Sequence, residues 1–166
     1  RASEWLYRGC QPEGQTFAHL KKKGIRTIVN FRYEPKKIEE ERREVEALGM
    51  KYVSLPWNIR DTVDPNLLDE FFKVLDDPAN RPVFMHCKHG RDRTGVMTTL
   101  ALMRYENLSE EEAREQALET IHTNWLYRRN VDEKIKFFVR ERGSLLSSGT
   151  SGRDHSIPEQ AAQAAV

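Results

Sequence analysis

The sequence predicts an α/β fold, because short apolar runs of strand length alternate with longer segments of helical periodicity along most of the chain. One of those runs, Val83-Phe84-Met85, passes through a tight glycine-containing stretch into residues 96–103, which are apolar nearly all round. A helix without a polar face belongs in a core. This strand, loop and helix therefore form the centre of the expected fold.

The elements follow in order. Residues 5–9 read as a short edge strand, and residues 12–23 as a helix with Phe17 and Leu20 inward. Lys21, Lys22 and Lys23 suit the negative dipole at its C-terminus, and Gly24 suits a left-handed cap. Residues 25–31 carry Ile28, Val29 and Phe31, a run of the kind that makes a buried strand. Pro35 opens a second helix and Gly49 closes it. The mixed charges of residues 39–46 between them read as a solvated helix face.

Residues 51–56 are a further strand and residues 58–64 a polar loop. Leu67, Leu68, Phe71, Phe72 and Leu75 recur at helical spacing. Ser109 and Glu112 form a capping box for a helix with Ala113, Ala117, Leu118 and Ile121 inward. Ile135, Phe138 and Val139 place the last helix at residues 132–140. One domain over residues 1–142 is expected, followed by a flexible tail at 143–166, where the composition turns to Ser, Gly, Gln and Ala.

Bulk properties narrow the function. The 166 residues suit one core. With 27 Lys plus Arg against 26 Asp plus Glu, nothing global attracts nucleic acid or a membrane surface, so any affinity for anions must be local. No run has the length of a membrane span. Cys10 and Cys87 are too few for a disulfide scaffold or a four-ligand zinc site, though enough for one bridge, and a reactive thiol is the better use for at least one of them. The chain begins at Arg1 and not Met, which is compatible with a trimmed leader. The cytoplasm is preferred as compartment, with export or the periplasm left open.

The chemistry lies in His86-Cys87-Lys88-His89-Gly90-Arg91-Asp92-Arg93-Thr94-Gly95. A cysteine at a strand end, followed after five residues by an arginine at a helix start, suits phosphate. Backbone N–H groups of residues 88–93 can converge as an anion nest, and the helix dipole adds positive charge. That field also favours a thiolate, which is the nucleophilic form of cysteine. Arg93 supplies a planar fork for two phosphoryl oxygens, and the Thr94 hydroxyl can stabilise the departing thiolate. His86 would orient the loop through backbone hydrogen bonds, and Gly90 allows its tight path. A zinc cluster is a poor alternative, because consecutive residues on a tight loop cannot converge tetrahedrally. No metal and no cofactor is expected.

This loop resembles the signature of the protein tyrosine phosphatase superfamily: Cys, five residues, then Arg followed by Ser or Thr. The resemblance extends back through Val29-Asn30-Phe31-Arg32 to Tyr7-Arg8-Gly9-Cys10-Gln11-Pro12. It points to the compact bacterial dual-specificity-like phosphatases and the tyrosine-phosphatase-like phytases. It implies a central, mainly parallel sheet of four or five strands flanked by helices, with the phosphate loop between a strand and the central helix. It further implies hydrolysis of phosphomonoesters through a cysteinyl-phosphate intermediate. A rhodanese-type sulfurtransferase and a catalytically silent phosphate-binding module are the rivals. The Arg93-Thr94 ending and the upstream aspartates disfavour the first, and the presence of both Cys87 and Arg93 disfavours the second.

Such hydrolysis needs an acid for the leaving oxygen, and the superfamily places an aspartate upstream of the cysteine. Asp61, in the middle of the polar loop, is preferred over Asp64, which precedes Pro65 and reads as a helix cap. Lys88, His89 and Arg91, with Gly90 and Asp92, complete the substrate-binding set, and Asp92 is expected to pair with a neighbouring arginine. Arg32 either touches substrate phosphate or pairs with Glu34. Trp57 is expected to pack, and Cys10 to be structural. Three cations beside Arg93 suit a small polyanion, an inositol polyphosphate, ahead of a phosphoprotein; the alternative is a dual-specificity or tyrosine protein phosphatase. A monomer is expected.

Overall fold

The computed structural model describes residues 1–118 and 125–147. Its centre is a four-stranded sheet of β1 (Leu6–Gly9), β2 (Thr27–Asn30), β3 (Lys51–Ser54) and β4 (Val83–His86). The order is β1-β4-β2-β3 and every pair is parallel. All four residues of β2 and β4 are buried, as central parallel strands require, while β1 and β3 form the partly exposed edges.

Side-chain alternation divides the core between two faces. Ile28, Tyr52 and Phe84 lie side by side in register and pack with Phe17, Leu20 and Val45 under α1 (Thr16–Lys22) and α2 (Pro35–Ala47). Val29 and Met85 face the other side. There the larger core joins α3 (Asn66–Asp76), α4 (Asp92–Tyr105), α5 (Glu110–Leu118) and α6 (Trp125–Leu146). By the same alternation Asn30 and His86 point towards α2, while Cys87 returns to the α4 side, where it joins the larger core. Opposite faces of one strand thus serve the nucleophile and the residue before it.

Helix signals place most ends well. Gly24 and Gly49 close α1 and α2 in the left-handed conformation, at φ +84° and +69°. Ser109 and Glu112 make the reciprocal cap: the Glu112 carboxylate accepts from Ser109 N–H at 2.9 Å, and Ser109 Oγ from Glu112 N–H at 3.3 Å. The last helix differs. It runs from Trp125 to Leu146, with non-helical angles at Arg142, and buries Leu146. Burial of that side chain carries the helix beyond both its expected end at 140 and the residue where the tail was expected to begin. Ile121 and residues 148–166 lie outside the described residues.

Candidate active site

The loop after β4 has a buried nucleophile and an open rim. Cys87 is 3% exposed, Gly90 and Thr94 are buried, and Lys88 and His89 are exposed. Among the described residues, no backbone hydrogen bond takes up the N–H groups of residues 88–91. They remain available to one anion at the N-terminus of α4. Arg93 anchors one arm of its guanidinium, with Nη1 donating to the carbonyls of Phe31 (2.9 Å) and Trp57 (3.4 Å). Its Nε and Nη2 donate to no protein acceptor among the described residues, so one edge of the fork is open. Thr94 Oγ1 is buried without a hydrogen-bond partner among the described residues.

Two segments clamp this loop from outside it. At the end of β1, Arg8 donates from Nη2 to the Gly90 carbonyl at 2.7 Å and from Nη1 to the Ala117 carbonyl of α5. Burial pulls the Arg8 guanidinium down from its ordinary value and the Cys87 charge pushes it back up, which makes Arg8 a cation close to the thiol. Gln11 N–H donates to the Lys88 carbonyl at 3.2 Å. The fit at Gly90 is close: its φ is +65°, and a Cβ there would lie 2.3 Å from the Gly9 oxygen and 2.7 Å from the Cys10 nitrogen. Gly90→Ala is therefore expected to cost more than the ~1–2 kcal/mol of the left-handed conformation alone. The check is thermal denaturation together with phosphate release, both of which should fall.

His86 is fully buried, with Nδ1 3.3 Å from the Cys87 carbonyl and Nε2 2.7 Å from Glu41 Oε1. Glu41, Gln11, Asn30 and Tyr52 form a polar network beneath the loop. Arg32 makes the pair with Glu34, through Nε and Nη2 at 3.2 and 3.0 Å, while its Nη1 donates to Gln11 at 3.0 Å. Glu34 is held at about 2, chiefly by the Arg32 hydrogen bond. It therefore stays ionised until the pH falls through that value, and the pair persists across ordinary conditions.

Asp92 does not form the expected ion pair among the described residues. Its Oδ1 is buried without a hydrogen-bond partner. Burial pushes its carboxyl up from the ordinary value against the opposing charges of Arg91, Arg93, His89 and Arg60. Arg91 is half-buried, and its Nε likewise lacks a partner. Of the two candidate acids, Asp64 accepts from Asn66 N–H at 2.9 Å at the start of α3. Asp61 keeps an exposed side chain on the loop, and its carbonyl accepts from Lys134 Nζ at 2.6 Å. Trp57 packs edge-on against Phe138, 6.3 Å between centroids.

Two further features escaped the sequence reading. Tyr33, 49% exposed, lies with its ring centroid 5.2 Å from the Arg93 guanidinium carbon at the mouth of the site. A cleft of about 550 Å³ opens on the other side of the loop, lined by Cys10, Gln11, Thr16, Arg32, Lys88 and His89. Among the described residues no group of three His, Cys, Asp or Glu side chains is arranged to hold a metal ion. No helix there is long and apolar enough to cross a membrane.

A family model described as DSP-PTPase phosphatase fused to NAD+ kinase matches residues 1–135. The chain belongs to this family. It is similar to the dual specificity protein phosphatase TpbA of Pseudomonas aeruginosa, 28% identical over 116 residues, which are 70% of this chain and 51% of that relative. It is also similar to inositol diphosphatase DSP3 of Arabidopsis thaliana, 33% identical over 99 residues, 55% of this chain and 47% of the relative. The chain spans about half the length of these curated relatives. A crystal structure of P. aeruginosa TpbA matches with a TM-score of 0.71 at 24% identity, covering 89% of each chain. The core catalytic domain of the PP-IP phosphatase SIW14 from S. cerevisiae matches at 0.57 and 19%, covering 84% of this chain and 89% of that one. Both likenesses show the fold: a parallel sheet between helices, shared with the tyrosine-phosphatase-like phosphatases.

Proposed function

We propose that this DSP-PTPase family member hydrolyses phosphomonoesters through a cysteinyl-phosphate intermediate on Cys87, with inositol polyphosphates as its substrate class. The observation that carries the first part is the loop itself. A buried sulfur stands beneath unclaimed N–H groups and an arginine fork with one open edge. In the first step Cys87 Sγ attacks phosphorus and the bond to the ester oxygen breaks, with a proton from Asp61 going to the leaving oxygen. In the second, Asp61 takes a proton from water, whose oxygen attacks phosphorus and releases the thiolate. The nest and Arg93 hold the phosphoryl oxygens throughout, and Thr94 Oγ1 is free to donate to the thiolate as it leaves.

For the substrate, Lys88, His89 and Arg32 line a cleft that adjoins the phosphate loop, so cations beyond the nest can meet neighbouring phosphates of a ring. The printed name of the Arabidopsis relative, an inositol diphosphatase, supports the same class. Lys88→Ala and Arg91→Ala are each expected to lower kcat/KM on inositol hexakisphosphate by about tenfold or more, the equivalent of one charge-assisted contact. A phosphotyrosine peptide should be the poorer substrate, and the comparison is made by phosphate release.

Tyr33 favours a second reading. An exposed ring beside Arg93 is a surface for an aromatic substrate, and TpbA has been crystallised in complex with phosphotyrosine. If the peptide is turned over better, or if both alanine variants leave inositol phosphate turnover unchanged, a dual-specificity protein phosphatase replaces the inositol reading.

A further inference from the structure

The charged run on α2 sends one carboxylate inward. Glu41 shares a stripe with Ile38 and Val45, three residues before it and four after. Its side chain is 4% exposed and that of His86 0%. Glu41 Oε1 lies 2.7 Å from His86 Nε2, while Oε2 accepts from Gln11 Nε2 and, at 3.2 Å, from Asn30 Nδ2. The other ring nitrogen, Nδ1, is 3.3 Å from the Cys87 carbonyl oxygen.

These contacts constrain the protons. A carbonyl oxygen only accepts, so Nδ1 must carry a proton for its contact to be a hydrogen bond. A carboxylate that receives two N–H donors on its other oxygen is favoured in the ionised form, so Nε2 must donate as well. An imidazole with two donors is an imidazolium.

We propose that Glu41 is a positioning residue for the nucleophile: it holds His86 as a cation against the Cys87 backbone carbonyl, so that the thiolate, on the opposite face of the strand, lies in the field of a charge whose counter-ion is delivered by α2. This rests on Cys87 being the nucleophile of the proposed reaction. The positive end of the pair adjoins Cys87, and the negative end lies beyond it against Gln11 and Asn30. With both groups buried, the field is weakly screened and loss of either partner is not compensated by water.

Other charged or titratable groups lie around the pair among the described residues. Tyr52 of β3 accepts from Asn30 at 2.8 Å, with its phenol pushed up by burial and then by the Glu41 charge. Arg42 lies over the Tyr52 ring at 4.9 Å. Arg32 and Glu34 reach the network through Gln11, while Arg8 and Arg93 donate to the carbonyls of Gly90 and Phe31. None of these is hydrogen-bonded to a ring nitrogen of His86.

Nitrogen-15 spectra of the His86 ring in the unmodified chain read the charge directly. The result expected is a doubly protonated ring at about pH 7.5, where an ordinary histidine, titrating near 6.5, is mostly neutral. A ring with a single proton at that pH overturns the proposal. Independently, the rate of alkylation of Cys87 by iodoacetamide reads the thiolate. In Glu41→Gln, which keeps shape and hydrogen bonding but not charge, that rate should fall about tenfold at about pH 6 and stay within about twofold at about pH 9. Tyr52→Phe perturbs the same network without changing its charge and should leave the ratio of the two rates as in the wild type. An unchanged ratio in Glu41→Gln is the contrary outcome, and should that variant fail to fold, the wild-type spectrum alone decides. Neither measurement uses turnover, so a failure of the thiolate mechanism would show separately, in the Cys87→Ser variant.

Discussion

Cys87→Ser is expected to leave inositol phosphate binding largely intact and to reduce turnover to less than about 1% of wild type. The loop geometry proposed to hold phosphate comes from the backbone, from Gly90 and from the clamps of Arg8 and Gln11, none of which the substitution touches. A serine hydroxyl is a far weaker acid and nucleophile than a thiol, so only the chemistry is lost. Isothermal titration against inositol hexakisphosphate, alongside phosphate release, separates the two effects. Activity of the wild type should persist in EDTA and fall with vanadate. More than a few per cent of residual turnover in the variant would point to a different nucleophile.

The second large effect is at Asp61. Asp61→Asn should lower kcat by roughly 10² to 10⁴ on an alkyl phosphate such as an inositol phosphate, the range for losing a general acid, and by much less on an aryl phosphate whose leaving group needs no proton. The exposed side chain on the loop between β3 and α3 suits a group that must reach a bound ester. Asp64 has other work at the start of α3. Asp64→Asn keeps an acceptor for Asn66 N–H and should change turnover little, while Asp64→Ala should cost about 1 kcal/mol of stability. Rates on the two substrate types decide it, and a reversed pattern would transfer the acid role to Asp64.

The contrast between Cys87 and Glu41 shows what was legible in the sequence. Cys87, Arg93 and Thr94 form a contiguous pattern whose spacing encodes a strand, a tight turn and a helix start, so local rules reach them. The α/β class followed from alternating strands and helices, and the parallel sheet from the family resemblance. Glu41 lies 45 residues from His86 and depends on which face of α2 meets the sheet. Its signal was present, a carboxylate on the stripe of Ile38 and Val45, but mixed charges on either side concealed it. Arg8 and Gln11 stood within the recognised segment, yet their contacts with Gly90 and Lys88 depend on β1 pairing with β4, a long-range register. Asp92 was misjudged for a related reason: neighbouring arginines in sequence suggested a pair, whereas the turn into α4 leaves the side chain half-buried, with Oδ1 bonded to no partner among the described residues. The extent of α6 was underread because Leu146 gains burial only once it packs in the larger core.

The most direct test of the mechanism is to trap the intermediate. Asp61→Asn, supplied with an aryl phosphate, should form the cysteinyl-phosphate rapidly, because the leaving group needs no acid, and break it down slowly, because the attacking water lacks its base. Acid quenching during turnover, followed by digestion and mass spectrometry, is expected to find phosphate on the peptide that contains Cys87. Phosphate on another residue, or substrate consumed with no phosphoenzyme at any time, would contradict nucleophilic catalysis by Cys87.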